Sequence, residues 1–372
     1  MKFLLISPKN RTTYNFRGDL IRKIREMGYE VIVTGPDREN VEAVEALGVR
    51  FFEVAGNKNG TSVFGDLAYY KQLKKLIRQE KPDVVLSYTV KPVVYGTLAA
   101  KKSGVKNVNC LVTGAGYTFT SRSFKAKIIN RIVTFLYKKA LKKADNVIFQ
   151  NPDDRNEFVG RKLVKRDKTY VVNGSGVNLE RFDHSGYPAA VTFLMVSRLL
   201  HSKGVAEYLR AAEKVKGAYP ETVFRLLGKY ETSMSDRIPK EEIEPYISRG
   251  IVERFDETDD VLRFYSGCSV YVLPSYREGV PRTVLEAMAC RRPIITTNAN
   301  GCRETVVDGY NGFLIEPRDS DGLADAMIRF IREPELIAAY GENSRQLCTD
   351  KFDVEKVNAE MIKIMNLQGE IK

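Results

Sequence analysis

Residues 271–289 read YVLPSYREGVPRTVLEAMA, and their order settles the architecture of the second half of the chain. Residues 270–274 form a short apolar run, a strand that stops at Pro274, after which Glu278-Gly279 falls in a loop. Pro281 takes the first position of a helix over 282–289, where its missing N–H costs nothing, and the amides of Arg282, Thr283 and Val284 are then expected to be free. A buried strand feeding a helix through a short loop is the repeating unit of a parallel sheet covered on both faces.

The same unit recurs in both directions. Working back from residue 270, helices over 259–266, 240–249 and 206–216 alternate with strands over 251–255, 223–227 and 191–196, and a strand over 293–297 follows. Residues 183–189 are polar with Gly and Pro and read as a linker. Before them a second series runs through strands over 2–6, 30–34, 49–54, 83–87, 107–112, 146–150 and 169–172, with helices over 13–25, 39–47, 67–79, 93–103, 123–144 and 155–161 between. Apolar runs of strand length separated by amphipathic helices predict two doubly wound α/β domains, and 372 residues suffice for both.

Composition narrows the chemistry. The five cysteines are scattered without a C-x-x-C pair, and only His184 and His201 are histidines, so neither a disulfide framework nor a His/Cys metal cage is expected. The opening residues are too short an apolar run for a signal peptide, and no stretch is apolar for the ~18 residues of a membrane span, so the expected place is the cytoplasm. The net charge of +12 is uneven: residues 1–190 hold 34 Lys+Arg against 18 Asp+Glu, residues 191–372 hold 25 against 29, and residues 101–143 hold 11 basic residues with no acid. Such a density draws phosphate-bearing surfaces, nucleic acid or anionic lipid, although a charge run is as often a solvated face.

The helix start at Arg282, with uncommitted amides beside Gly279, is an anion site suited to a diphosphate. Glu286 lies one turn in, roughly 6 Å along the axis, within reach of a ribose on that diphosphate. The helix dipole alone explains acids near an N-terminus about as well. A second element shifts the balance: Ser197-Arg198 and Lys203-Gly204 follow the first strand of the same domain, placing two cations at the carboxyl edge, where open α/β sheets bind ligands.

In order, S-R-x-x-x-x-K-G from Ser197, L-P-S-x-x-E-G-x-P-x-x-x-x-E-A-M-A from Leu273 and G-x-x-E-x-V-x-D-G-x-N-G-F-L from Gly301 resemble the retaining glycosyltransferases of family 4. The resemblance implies the α/β GT-B fold, two doubly wound Rossmann-like domains facing across a cleft: an acceptor domain over 1–186, a nucleotide-sugar domain over 187–350, and a C-terminal helix within 351–372 returning to the first. It assigns Arg198 and Lys203 to the donor diphosphate, Glu278 to the sugar hydroxyls and Glu286 to the ribose, with the backbone of Gly279, Val280, Pro281, Arg282 and Thr283 as the phosphate cradle. It implies neither metal nor cofactor, and no Asp-x-Asp pair closes any of the strands read above. The adjacent pairs Asp153-Asp154 and Asp259-Asp260 read as helix N-caps.

The first half departs from the commonest family pattern, because it lacks a Gly-Gly loop after its first strand and its only histidine, His184, falls in the linker. Tyr14 to Arg17 and Gly114-Ala-Gly116-Tyr117 instead resemble the bacterial subgroup that extends undecaprenyl-diphosphate-linked sugars, which makes Arg17, Gly114, Gly116 and Tyr117 the acceptor-side candidates. Residues 123–143 combine Phe124, Ile128, Ile132, Phe135 and Leu136 at helical spacing with Lys125, Lys127, Arg131, Lys138, Lys139, Lys142 and Lys143, a pattern for the anionic inner face of the cell membrane or for a core helix with a wet basic side. The implied partners are a UDP-sugar, a lipid-diphosphate-linked acceptor and that membrane surface, with no nucleic acid. The rival readings are a nucleotide-sugar epimerase of similar architecture and a basic nucleic-acid-binding protein, which lacks the interleaved aromatics such a module needs.

Overall fold

A computed structural model describes residues 1–55, 63–114, 124–184, 186–232 and 234–368. The chain divides into two units, Met1–Ser175 with Glu355–Lys372, and Gly176–Val354.

The first unit alternates β1 (Lys2–Ile6), α1 (Asn10–Glu26), β2 (Glu30–Gly35), α2 (Val41–Glu45), β3 (Arg50–Glu53), α3 (Val63–Glu80), β4 (Val84–Tyr88), α4 (Thr97–Lys102), β5 (Asn107–Val112), α5 (Phe124–Leu141), β6 (Asn146–Phe149), α6 (Pro152–Gly160) and β7 (Thr169–Val171). Its seven strands are parallel in the order β3-β2-β1-β4-β5-β6-β7. Successive side chains of β1 serve opposite faces. Phe3 and Leu5 join Leu20, Ile21 and Ile24 of α1, while Leu4 and Ile6 join Leu73 and Ile77 of α3. That double burial is why the strand has no polar alternation.

The second unit runs β8 (Thr192–Val196), α7 (Val205–Ala218), β9 (Val223–Leu227), α8 (Lys240–Ser248), β10 (Glu253–Phe255), α9 (Leu262–Ser266), β11 (Val270–Leu273), α10 (Arg282–Ala289), β12 (Ile294–Thr297), β13 (Gly312–Ile315), α11 (Ser320–Arg332) and α12 (Glu335–Leu347). Its six parallel strands are ordered β10-β9-β8-β11-β12-β13. α13 (Val354–Ile364) then closes the first unit, with Val357, Met361, Ile364 and Met365 packed in one cluster with Phe3, Leu5, Leu111 and Ile148.

Several sequence expectations change in detail. The helix expected over 93–103 is split: Pro92–Gly96 is a π-turn, and only then does α4 begin. A Cβ on Gly96 would press on Ser87 and Ile6, so the widened turn sits where the helix lies against β1 and β4. The expected linker over 183–189 is bound into the second unit, because Tyr187 donates to the Arg291 carbonyl at 2.8 Å and Asp183 pairs with Arg291. The division therefore falls after Ser175, upstream of the expected 186, and returns after Val354. The acidic pairs are not caps: Asn151 caps α6 by accepting from the Asp154 amide at 2.8 Å, and Val261 occupies the cap position of α9.

Candidate functional site

In the second sheet the chain proceeds outward from β8 through β9 to β10, then returns beside β8 with β11 and proceeds the other way. β8 and β11 therefore flank the topological switch point, and the loops that leave them diverge at one crevice. Gly204 lies in the left-handed region, and a Cβ there would collide with the Pro274 carbonyl, so glycine lets the two loops touch through their backbones. The Tyr276 amide donates to the Ser202 carbonyl at 2.9 Å and locks that contact.

This closeness brings two expected site residues together. Lys203 Nζ forms an ion pair with Glu278 Oε1, and the Ser275 hydroxyl lies 2.8 Å from the same oxygen. From the other side, the Glu278 amide donates to the Asn300 carbonyl at 3.0 Å. Gly301, also left-handed, has its Cα against the Glu278 and Gly279 carbonyls, where a Cβ would collide. The three sequence motifs thus meet around one loop.

α10 starts at the adjacent edge. Pro281 is its cap residue and supplies no side-chain acceptor, so the helix N-terminus is left to other partners. One expected donor is spent internally, because the Val284 amide donates to the Pro281 carbonyl at 3.1 Å. Of the expected cradle residues, Val280 packs its side chain into the core of the unit. Glu286 is 8 % exposed, and each carboxylate oxygen has a donor: Arg282 Nε at 3.0 Å on Oε1 and the Tyr265 hydroxyl at 2.9 Å on Oε2. Arg282 in turn donates to the Gly176 carbonyl. The glutamate is held in one orientation with its remaining lone pairs available to hydroxyl donors. Burial first, and the Glu286 charge second, push the Tyr265 hydroxyl well above the ordinary tyrosine range, so it is a fixed donor.

Arg198 stands apart from these pairs. It is exposed just beyond β8, and its guanidinium contacts Met234 Sδ at 3.2 Å. Tyr265, Ser275 and Asn300 were not read from sequence; a tyrosine on an apolar helix face looks like core until its hydroxyl partner is known. Nor was the ring of Tyr276, which has the Arg318 guanidinium 4.7 Å from its centroid. β13 was likewise unread, and the Asp319-Ser320-Asp321 sequence after it is committed elsewhere: Asp319 caps α11, and Asp321 pairs with Lys214 at 3.0 Å.

In the first unit the switch point lies between β1 and β4. There the Ser7 hydroxyl lies 2.6 Å from those of both Thr13 and Tyr88, and Thr12 lies 3.1 Å from the Tyr88 hydroxyl. Arg17 reaches this cluster from α1, 3 % exposed, its guanidinium 5.6 Å from the Tyr88 ring centroid. Gly114 follows β5 in the left-handed region. Gly116 and Tyr117 lie outside the described residues, as do the side chains of Lys125 and Lys127. On α5 the core face is Tyr137, Ala140 and Leu141, whereas Arg131, Lys139, Lys142 and Lys143 are exposed and Lys138 is half-buried. Ile132 and Phe135 are also turned outward, 55 % and 64 % exposed. Among the described residues no helix is long and apolar enough to cross a membrane.

Residues 2–151 match the family described as glycosyl transferase 4-like, and residues 178–347 match glycosyl transferases group 1. The chain is 26 % identical to the N,N'-diacetylbacillosaminyl-diphospho-undecaprenol alpha-1,3-N-acetylgalactosaminyltransferase of Campylobacter jejuni, over 93 % of each chain. It is 26 % identical to the UDP-Gal:alpha-D-GlcNAc-diphosphoundecaprenol alpha-1,3-galactosyltransferase of Escherichia coli, over 83 % of this chain and 81 % of that one. The crystal structure of Anabaena Alr3699/HepE in complex with UDP-glucose superposes with a TM-score of 0.80 at 18 % identity, covering 98 % of this chain and 99 % of that one, a likeness of fold. These matches favour the transferase over the epimerase and nucleic-acid readings.

Proposed function

The chain belongs to the glycosyltransferases, with a glycosyl transferase 4-like half and a group 1 half on the GT-B fold, and from that premise we propose that it moves a hexose or N-acetylhexosamine from a UDP-sugar to a polyprenyl-diphosphate-linked glycan with retention at the anomeric carbon and without a divalent metal. The observation that carries the donor half of this reading is the pairing of Lys203 with Glu278 beside the uncapped start of α10. A cation, a helix N-terminus and a sugar-facing carboxylate then occupy one crevice, and both named relatives act on undecaprenyl-diphosphate sugars.

Lys203 and Arg198 neutralise the leaving diphosphate together with the helix amides, Glu286 holds the ribose and Glu278 accepts from the sugar hydroxyls. In the transfer step the bond from the anomeric carbon to the β-phosphate oxygen breaks as the acceptor hydroxyl attacks from the same face. The departing phosphate takes the acceptor's proton. No protein base is required, so stabilising the departing charge is the main task of the residues. On the acceptor side Arg17 and the hydroxyls of Ser7, Thr12 and Tyr88 form a polar cluster suited to a phosphate, with Gly114, Gly116 and Tyr117 as the other candidates.

The test is transfer from UDP-GalNAc, UDP-GlcNAc and UDP-Gal to an undecaprenyl-diphosphate sugar, with the product read by its anomeric proton coupling and EDTA in a parallel assay. An α-linked product and EDTA resistance are expected; a β-linked product or strict metal dependence overturns the mechanism.

α5 is the membrane-facing element of this reading, attached to the inner leaflet. A core-facing helix needs no apolar residues on its wet side, yet Ile132 and Phe135 are exposed among cations, the composition of an interfacial helix. Ile132→Ser with Phe135→Ser should leave the fold intact and reduce sedimentation with phosphatidylglycerol vesicles severalfold. Unchanged sedimentation would remove α5 from the membrane contact.

A further inference from the structure

In a parallel α/β unit every helix ends at the amino-terminal edge of the sheet, where the next strand begins. Three stretches far apart in the sequence arrive at that edge of the first unit: the turn from α4 to β5, the turn from α5 to β6, and the turn from α6 to β7. β5, β6 and β7 are consecutive in the sheet, so the three turns are neighbours. The first carries exposed Lys102 and Lys106, the second Lys142 and Lys143, and the third Lys162, Lys165 and Arg166. None of these seven has an ion pair among the described residues. The acids nearby are fewer and mostly engaged: Asp145 binds Lys101 at 2.6 Å and the Val108 amide at 2.7 Å, Glu157 binds Arg161 at 3.1 Å, and Asp167 is exposed. A groove of about 680 Å³ opens at the same edge, but its lining alternates Lys106 and Lys363 with Asp145 and Glu360, so the cationic feature is the rim and not the groove.

We propose that this rim is a second lipid-contact surface of the first unit, a docking edge for anionic phospholipid headgroups. It rests on the reading that α5 faces the membrane, and extends it: Lys142 and Lys143 follow directly on α5, three and four positions past exposed Lys139, so the outward face with Ile132 and Phe135 continues into the rim. One surface then carries apolar residues along the helix and cations from two further turns at its end. Lipid is favoured over nucleic acid because Ile132 and Phe135 form an apolar pair on the helix continuous with the cations, the make-up of an interfacial surface; Tyr170, 37 % exposed beside the groove, is the ring on which a base could stack, and the oligonucleotide arm below tests that alternative.

The third turn supplies a test that leaves α5 and the candidate site residues untouched. Lys162 adopts φ 56°, a left-handed position at which glycine is the less strained residue, so Lys162→Gly removes a charge without a backbone penalty. In the full-length protein, Lys162→Gly/Lys165→Glu/Arg166→Glu should weaken binding to vesicles of phosphatidylglycerol in phosphatidylcholine at least about a hundredfold, since loss of three cations at roughly fivefold each already amounts to that before the repulsion of the two new carboxylates. The wild type should lose the same binding as salt rises, and transfer to a soluble short-chain acceptor should be unaffected. If the triple variant binds vesicles as the wild type does while Ile132→Ser/Phe135→Ser does not, the rim is not a lipid contact and the α5 reading stands. If neither variant changes vesicle binding, both readings fall. Binding of the wild type to random oligonucleotides more tightly than to the vesicles, lost in the triple variant, would also overturn the assignment to lipid.

Discussion

Gly301 shows how closely the Glu278 loop is held, since its left-handed backbone and its contact with the Glu278 and Gly279 carbonyls both exclude a side chain. Gly301→Ala should cost about 1–3 kcal/mol of stability by this strain and displace Glu278, lowering transfer far more than a surface substitution would; a melting curve and an initial rate measure the two effects. Lys203→Ala and Glu286→Ala probe the charges directly. Each should reduce the rate by about 30- to 1000-fold, the loss of roughly 2–4 kcal/mol from the barrier, with secondary structure retained by circular dichroism. Wild-type rates in both would remove the crevice as the donor site. Tyr265→Phe deletes one of two fixed donors to Glu286, and the expected effect is smaller, about 1 kcal/mol, because Arg282 still orients the carboxylate.

Helix ends and strand-edge ion pairs give predictions one level up. Lys81 follows α3 at φ 50°, exposed, with its amide on the Ile77 carbonyl at 2.9 Å. Glycine at this C-terminal position suffers no Cβ penalty, so Lys81→Gly should raise stability by about 0.5–1 kcal/mol in denaturant melts. At the end of the same helix Glu80 accepts from Arg50 at 2.8 and 2.9 Å, and those hydrogen bonds hold its carboxyl below the ordinary glutamate value. A carboxyl with a depressed folded-state value stabilises the fold above its unfolded-state value and loses that contribution as pH falls through the folded one. The difference between wild type and Glu80→Gln should therefore be small, within the 0–1 kcal/mol of partly exposed pairs, at pH 7 and shrink as pH falls below the ordinary glutamate range. A difference that grows on acidification would contradict the pairing.

Among the described residues the second unit has one hydrophobic core and the first has three clusters, of which the one on the α1 face of the sheet is completed by the last helix of the chain. Deleting residues 355–372 strips Val357, Met361, Ile364 and Met365 from the cluster that holds Phe3, Leu5, Leu86, Leu111 and Ile148, each worth about 1.5–3 kcal/mol of burial, and the first unit should unfold or aggregate while the second keeps its own melting transition. UDP, if it binds the crevice of the second unit, should raise that unit's transition alone, by about 2.7 kcal/mol at a hundredfold excess over Kd. A ligand effect confined to the first unit would contradict the placement of the donor.

Periodicity read from sequence was enough for two doubly wound domains, because a strand buried on both faces must be apolar throughout and a covering helix must be amphipathic, and both patterns are local. The three motifs likewise marked the loop around Glu278, Glu286 and Lys203, since glycine, proline and charge at fixed offsets have local causes. What required the tertiary structure was every relation between distant segments. The contact of Lys203 with Glu278 depends on β8 and β11 being neighbours; the grip of Tyr265 and Arg282 on Glu286 depends on where α9 packs; the fate of residues 183–187 depends on partners about a hundred residues away. β13 escaped notice because Gly312–Ile315 is four residues long and lies within a motif read for its glycines. The cations of the basic rim are ordinary surface residues in sequence, and only the strand order gathers three turns onto one edge, because adjacency in a parallel sheet is set by crossover connections and not by distance along the chain.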